Sequence, residues 1–317
     1  MAGGALAIDG LVKSYGDLRV LAGVSFTVQP GRILGFLGRN GSGKTTTMRC
    51  IFGLLDAEAG TITYEGRRLT TATRQAFGYM PEERGLYPRM RVLPQLVHFA
   101  RLAGMSAGEA AKASAAWLER LELAERSAAR VEQLSHGNQQ RVQLAVALVH
   151  GPDVLILDEP FSGLDPVGVA EMGEVLREAA EAGSTILFSS HQLDLVEGLC
   201  TDIAILHDGH VVEYGDLERI RSRADYRRAE VTVDGRPWLP DVPGVRVVEG
   251  ERAHVMVPAS VSAPELLEAA RRAGSITSFR YEPPRLSDLF LAAVEATGAA
   301  GVTQPDEGGT AAGGHDA

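Results

Sequence analysis

The sequence lacks any segment that would carry it into or across a membrane. No stretch approaches the roughly 20 consecutive apolar residues that a helix needs to span a bilayer. The amino terminus also lacks the basic region followed by an apolar core that marks a secretory leader. We therefore expect a cytoplasmic protein.

Cysteine and positive charge are both scarce. Of the 317 residues, two are cysteines, Cys50 and Cys200, and we expect reduced thiols there rather than a disulfide or a metal site. Acidic residues outnumber basic ones, 41 to 31, and the net charge of -10 disfavours a broad nucleic-acid-binding face. We therefore expect no nucleic-acid partner.

What the chain does have is a series of short apolar segments separated by helical ones. Three segments, residues 32–37, 154–157 and 185–190, are typical of buried parallel strands, and helical segments lie between them. This order predicts an α/β fold with a parallel core sheet covered on both faces. Alternating residues 5–30 predict antiparallel strands. A helical subdomain is expected over about 85–150, with helices at residues 92–103, 106–121 and 137–149.

A glycine-rich loop follows the first of these strands. Residues 38–45 fit the pattern G-x-x-x-x-G-K-[ST], with a strand before and a helix after, as the motif requires. Such a loop turns its backbone N–H groups towards a phosphate chain. Lys44 is expected to reach the β- and γ-phosphates, and the Thr45 hydroxyl to bind Mg²⁺. The candidate nucleotide-binding residues of the loop are Gly38, Asn40, Gly41, Ser42, Gly43, Lys44, Thr45 and Thr46.

Two carboxylates and a histidine follow the other two apolar strands. Because ligands bind at the carboxyl ends of parallel strands, Asp158, Glu159 and His191 should converge on the glycine-rich loop. Asp158 is placed to hold Mg²⁺; Glu159, turned the other way by the pleat, can orient or deprotonate water. His191 could contact the γ-phosphate or that water. A strand-capping role stays open for Glu159 and a structural one for His191. The implied reaction is hydrolysis of a nucleoside triphosphate.

Two further features have no fixed role in that local chemistry. The polar stretch from Gln133 to Arg141 places the Ser135 hydroxyl and the Gly137 amide at a predicted helix start, which makes it a second anion site or a plain capping sequence. Tyr15, at the first turn, fits a surface residue and a platform for a base equally well.

The polar stretch resembles the signature motif of ATP-binding cassette (ABC) proteins, usually Leu-Ser-Gly-Gly-Gln. The other motifs occur in the family's order over about residues 5–220. The resemblance implies a P-loop NTPase of the ABC type that binds ATP and Mg²⁺ on a parallel core sheet, with an antiparallel β subdomain and a helical subdomain. It further implies that Glu159 is the catalytic glutamate, His191 the switch histidine, Ser162 to Asp165 the D-loop, and Tyr15 the aromatic that stacks on adenine.

The resemblance also implies how such a subunit works. Two cassettes would pair head to tail, so that Ser135 and Gly137 of one contact the γ-phosphate held by Lys44 of the other. A membrane permease would be a separate polypeptide, with the cassettes bound at the inner face of the cell membrane. The implied function is an ATP-hydrolysing transporter subunit.

Three positions depart from the family pattern. His136 replaces the first signature glycine, and Asn138 replaces the signature glutamine. Glu82 stands where the family has its Q-loop glutamine, and a carboxylate there can still meet Mg²⁺ or its water while adding negative charge. These departures, together with an extra domain, resemble a subgroup of ABC-2-type bacterial exporters.

The domain organisation follows from shifts in composition. We expect an ABC domain over residues 1–222, a small α+β accessory domain over 228–296 and a disordered tail over 297–317. The alternative function is a soluble ABC-type ATPase with a non-transport target, although such families usually carry two cassettes or a long coiled coil. A GTPase or small-molecule kinase is disfavoured by the signature stretch and by the lack of an Asn-Lys-x-Asp motif.

Overall fold

The computed structural model describes residues 4–83, 85–193, 197–241, 243–248 and 254–300, which form three sheets and the helices around them. The strands are β1 (Leu6–Tyr15), β2 (Leu18–Val28), β3 (Ile33–Leu37), β4 (Ala59–Tyr64), β5 (Arg67–Arg68), β6 (Phe77–Met80), β7 (Val154–Leu157), β8 (Thr185–Ser190), β9 (Asp202–His207), β10 (His210–Asp216), β11 (Tyr226–Val233), β12 (Arg236–Pro237), β13 (Arg246–Val248), β14 (His254–Pro258) and β15 (Ile276–Glu282). The helices are α1 (Lys44–Phe52), α2 (Thr71–Arg74), α3 (Val92–Leu102), α4 (Ala107–Arg120), α5 (His136–Leu148), α6 (Pro166–Glu181), α7 (Leu217–Arg223), α8 (Ala263–Ala273) and α9 (Leu286–Ala300).

The central sheet has the strand order β10-β9-β3-β8-β7-β6 and is parallel except for β10, which pairs antiparallel with β9. Successive side chains of β3 enter two different cores. Ile33 and Leu37 pack with α5 and α6, whereas Leu34 and Phe36 pack with α1 and the first two strands. The predicted parallel sheet with both faces covered is therefore confirmed.

The amino-terminal strands form a separate antiparallel sheet of order β2-β1-β4-β5, which covers α1 and one face of the central sheet. The alternating pattern of residues 5–30 predicted this arrangement. Leu6, Ile8 and Leu11 are buried, while the intervening side chains face outward or are half-buried. One face of this sheet thus closes the core above the glycine-rich loop.

Both cysteines are free thiols, as the sequence predicted. Cys50 is buried in α1. Burial raises the pKa of the Cys200 thiol, which lies against Gly35 of β3. A Cβ at Gly35 would come within 2.5 Å of Cys200 Sγ, so the glycine makes room for this buried sulfur.

The chain between β6 and β7 is helical. The helices predicted at 92–103, 106–121 and 137–149 each begin and end within one residue of α3, α4 and α5. Capping explains the sharp starts: Ser106 forms a reciprocal capping box with Glu109, and Ser135 caps α5. The apolar faces of these helices pack against the side of the central sheet that also carries α6.

The carboxy-terminal strands form a third sheet with its own core. Strand β11 pairs with β12, β14 and β15, and β14 pairs with β13. The amphipathic α8 places Leu266 and Ala270 against Val231 and Val257 of this sheet. The small α+β unit expected here is present, and its first strand begins at Tyr226, just ahead of the predicted boundary at 228.

The last helix corrects the predicted tail. Helix α9 continues to Ala300, so it occupies residues 297–300, which composition alone had assigned to a disordered segment. Residues 297–300 are Thr, Gly, Ala and Ala. Because each residue added to a helix that has already formed contributes one more backbone hydrogen bond, the helix can continue through the poor helix formers Thr297 and Gly298 to the two alanines. Residues 301–317 lie outside the described chain.

Candidate functional site

The glycine-rich loop joins the end of β3 to the start of α1. Gly43 precedes α1 with a φ of 109°, in the left-handed region that favours glycine, and a Cβ there would lie 2.7 Å from Leu21 Cδ2. A Cβ at Gly38 would lie 2.5 Å from Ser42 Oγ. The loop can close this tightly only with glycine at both positions. A tight glycine turn into a helix start is the geometry in which backbone N–H groups bind phosphate.

The remaining loop residues predicted to bind nucleotide have mixed exposure. Those at the tip of the loop are exposed, and those in the first turn of α1 are half-buried. They are Asn40 and Gly41 at the tip, and Thr45 and Thr46 in the turn.

Lys44, the first residue of α1, is buried beside the loop, with 6% of its surface exposed. Its Nζ donates to the carbonyl oxygens of Gly38 at 2.7 Å and Arg39 at 3.3 Å. The same ammonium lies 3.6 Å from Glu159 Oε1. The charge of Lys44 therefore sits between the loop and the acidic residues that follow β7.

Asp158 and Glu159 follow β7, where the sheet register sets them beside Ser189 of β8. The Ser189 hydroxyl donates to Asp158 Oδ1 at 2.6 Å and accepts the Glu159 backbone N–H at 2.8 Å. All three residues are buried, Asp158 completely. One serine therefore fixes the side chain of one acid and the backbone of the other.

The orientation of Glu159 has a different cause from the one predicted. Strand β7 ends at Leu157, so its pleat does not extend to Glu159. Glu159 instead has a φ of 51°, a left-handed conformation that is uncommon for a residue with a side chain. Its Oε2 lies 2.9 Å from His191 Nδ1, and its Oε1 faces Lys44. Lys44, Glu159 and His191 thus share direct contacts.

Three buried oxygens around this group have no hydrogen-bond partner within the described chain: Ser42 Oγ, Asp158 Oδ2 and Glu159 Oε1. Buried polar atoms of folded proteins are almost always paired, so atoms left unpaired together indicate a ligand. Oxygen atoms of carboxylates are the ligands that Mg²⁺ prefers. Two acids against the single Lys44 also leave a negative excess that a cation would balance. The residues present therefore fit Mg²⁺ with a nucleotide.

Four other predicted site residues lie outside this group of contacts. Tyr15 ends β1 with 47% of its surface exposed, and Lys13 Nζ lies 5.9 Å from its ring centre. Glu82 is exposed just after β6. Ser135 and Gly137 lie at the start of α5, with Ser135 exposed. A Cβ at Gly137 would first meet the Leu164 side chain, at 3.3 Å.

Sequence reasoning missed three residues that support the site. Ser189 could have been found as a hydroxyl near the end of an otherwise apolar strand. Gln140 and Gln143 of α5 are buried, whereas glutamines in a helix are usually predicted to face the solvent. The Gln140 amide donates to the Pro160 carbonyl at 3.0 Å, next to Glu159, and the Gln143 amide donates to the Pro81 carbonyl.

These features together define a P-loop nucleoside triphosphatase. A phosphate-binding loop with its lysine and a pair of carboxylates at the carboxyl ends of neighbouring parallel strands are its distinguishing parts. Residues 21–162 match the family described as ABC transporter, and residues 215–294 match the carboxy-terminal domain of DrrA1-3-like ATP-binding proteins.

Several known proteins are similar in sequence to this chain over most of its length. It is 39% identical over 298 residues to the uncharacterized ABC transporter ATP-binding protein YhaQ of Bacillus subtilis (strain 168), covering 92% of this chain and 99% of that one. It is 31% identical over 301 residues to the linearmycin resistance ATP-binding protein LnrL of the same strain, covering 90% and 97%. A Nod factor export ATP-binding protein I of Burkholderia lata (strain ATCC 17760 / DSM 23089 / LMG 22485 / NCIMB 9086 / R18194 / 383) is 35% identical over 283 residues, covering 88% and 93%.

Solved structures of ABC transporter subunits have the same fold as the cassette of this chain. An ATP-binding subunit of an ABC transporter superposes with a TM-score of 0.63 at 33% identity, covering 69% of this chain and 92% of that one. The chain belongs to the ATP-binding proteins of the ABC transporter family, and its cassette binds ATP. The resemblance noted in the sequence is thereby confirmed.

Proposed function

We propose that this chain is the ATP-hydrolysing motor subunit of an ABC exporter and drives a separate membrane permease. The observation that carries the proposal is the buried group of Lys44, Asp158 and Glu159, which has unpaired oxygens among its members and contacts the exposed His191. Export rather than import is favoured by the relatives' names, which refer to Nod factor export and linearmycin resistance.

The loop and Lys44 hold the phosphates of ATP in the proposed reaction. Thr45 and Asp158 are the residues that would hold Mg²⁺, and Glu82 is a further carboxylate for the ion or its water. Bound there, Mg²⁺ offsets the negative charge that develops on the phosphates. The Asp158 oxygen available to bind Mg²⁺ is Oδ2, because Oδ1 already accepts the hydrogen bond from the Ser189 hydroxyl.

Glu159 takes the proton of the attacking water. A carboxylate only accepts hydrogen bonds, so the 2.9 Å contact with Oε2 requires a hydrogen on His191 Nδ1. Oε1 then remains as the oxygen that can accept the water proton. His191 fixes the carboxylate in this orientation, and Tyr15 stacks on the adenine.

The proposed working unit contains a second copy of the subunit and the permease. Ser135 and Gly137 of one copy would close over the γ-phosphate held by Lys44 of the other, so ATP would join the two. None of the helices in the described part of the chain combines the length and apolar character that crossing a membrane requires. We place the subunit at the inner face of the cell membrane, bound through the permease.

The test is to sequence the adjacent reading frames for a membrane protein of several spans and to coexpress that protein with this chain. We expect the two to copurify and ATP hydrolysis to rise at least about twofold over the isolated subunit. Lys44→Ala is the control, since it should copurify without hydrolysing ATP once the charge facing the phosphates is gone. A fully active cassette that never associates with a membrane protein would instead favour a soluble ABC-type ATPase with another target.

A further inference from the structure

Three side chains of α5 donate hydrogen bonds to two loops, the one that follows β6 and the one that joins β7 to α6. His136, Gln140 and Gln143 are spaced by four and three residues, so they lie on one face of the helix. We call them the donor row. His136 Nε2 lies 3.2 Å from the Ser162 carbonyl oxygen, which can only accept, so the ring carries its hydrogen there.

Both loops that the donor row reaches border the proposed ATP site. Gln143 donates to the Pro81 carbonyl, directly before Glu82. Gln140 donates to the carbonyls of Glu159 and Pro160, at 3.4 and 3.0 Å. His136, the exposed member, reaches the segment of residues 162–165 that follows. Helix α5 therefore holds these loops from one side.

The His136 ring also fits closely against Gly163. This glycine has a φ of 73°, and a Cβ built on it would lie 2.5 Å from both Cδ2 and Nε2 of the ring. The side chain of the next residue, Leu164, lies close to Gly137: a Cβ built on Gly137 would lie 3.3 Å from Leu164 Cδ2. The segment of residues 162–165 can thus approach the start of α5 only because residue 163 is a glycine.

We propose that His136 is a positioning residue that fixes residues 162–165 against the start of α5. The inference rests on the proposed function, in which Ser135 and Gly137 serve the site of the partner copy and Glu159 serves its own. His136 lies between those two sets of residues, so it couples the phosphate-facing end of α5 to the loop that carries Glu159. A glycine at 136 could make neither the hydrogen bond nor the ring contact.

Steady-state hydrolysis by the full chain tests this role. We expect His136→Gly to lower kcat by about threefold to tenfold, the range of one lost hydrogen bond. The KM for ATP should stay within about twofold, because the loop and Lys44 are untouched. His136→Gln keeps an N–H donor at similar reach and should restore most of the rate. A kcat equal to that of the wild type in His136→Gly would overturn the proposal.

A double-mutant cycle tests the contact with Gly163 directly. Gly163→Ala should lower both kcat and the midpoint of urea unfolding, and the loss should shrink when His136→Gly is also present. Gly151→Ala is the matched control, because Gly151 has a φ of 66° but no atom within 4 Å of its added Cβ. Gly151→Ala therefore measures the cost of placing an alanine at a positive φ without any new contact.

The outcomes separate the two hypotheses. The inference fails if Gly163→Ala lowers kcat and the urea midpoint by the same amounts in the wild type and in His136→Gly. In that case His136 does not hold the segment of residues 162–165, although the chain still hydrolyses ATP. A wild-type chain that hydrolyses no ATP, alone or with its permease, would reject the proposed function and the positioning role with it.

Discussion

The two carboxylate oxygens of Glu159 face different neighbours. His191 Nδ1 is 2.9 Å from Oε2, and Lys44 Nζ is 3.6 Å from Oε1. The backbone beneath it is fixed by Ser189 in a left-handed conformation. The backbone conformation of Glu159 and the charge of its carboxylate depend on different contacts. A substitution of the same shape can therefore remove the charge and keep the conformation.

Glu159→Gln is expected to bind ATP but not to hydrolyse it. The amide has the shape of the carboxylate but cannot accept the water proton. ATP would then persist and hold two copies together. The measurements are phosphate release, which should fall at least about 100-fold, and size-exclusion chromatography with and without ATP. Hydrolysis at the wild-type rate would remove Glu159 from the role of base.

Ser189→Ala should destabilise the fold and lower the hydrolysis rate together. The change leaves Asp158 Oδ1 and the Glu159 N–H unpaired in a buried place, at a cost of about 1–3 kcal/mol for each unpaired group. Urea unfolding measures the loss. Ser190→Ala is the control in the same strand, since this buried hydroxyl accepts the N–H of Gln192, two residues further along the chain. Equal losses in the two variants would argue against a special role for Ser189.

Residues in sequence motifs could be proposed for the site from the sequence, and residues that contact the site across the sheet could not. Lys44, Asp158 and Glu159 occur in motifs whose spacing along the chain predicts a role, and the structure places Lys44 beside Glu159. Ser189 acts through the register of β7 and β8, which the sequence does not give. The left-handed turn at Glu159 was likewise hidden, because no glycine or asparagine marks it.

At the scale of elements, apolar runs predicted the strands well because the parallel sheet is buried on both faces. Strands β3, β7 and β8 are buried at every position. Their residues are apolar or glycine except for Thr185 at the start of β8 and the two serines at its end. Helix α5 was located to within one residue, yet the role of its buried glutamines was not predicted. Its buried amides bind loop carbonyls, and a polar residue of that kind cannot be told from a solvated one by periodicity.

One boundary differs from the prediction at the end of the last helix. Helix α9 extends to Ala300, past residue 296, where the accessory domain was expected to end. The helix begins at residue 286, and Leu286 and Leu289 in its first turn are buried. Those leucines pack into the core cluster of the cassette rather than into that of the third sheet.

At the scale of the whole molecule, the carboxy-terminal unit is joined to the cassette by a buried junction. The Leu286 backbone N–H donates to Glu197 Oε1 at 3.1 Å, and Arg221 pairs with the same carboxylate. Asp288, 3% exposed at its side chain, accepts the Arg285 N–H at 2.8 Å and lies 3.6 Å from Arg228. Since Glu197 belongs to the connection between β8 and β9, its contact with Leu286 ties the accessory unit to the cassette.

Two leucines of α9 allow this junction to be tested. Leu286 is fully buried in the cassette core, whereas Leu291 of the same helix is 51% exposed. Leu286→Ala should lower the free energy of unfolding by about 2–5 kcal/mol through lost burial and a residual cavity. Leu291→Ala should change it by no more than about 0.5 kcal/mol. Urea unfolding followed by tryptophan fluorescence and by circular dichroism measures both. If the two units unfold together, the two signals shift in parallel in Leu286→Ala; an unchanged midpoint would mean that the packing of α9 contributes little to holding the accessory unit on the cassette.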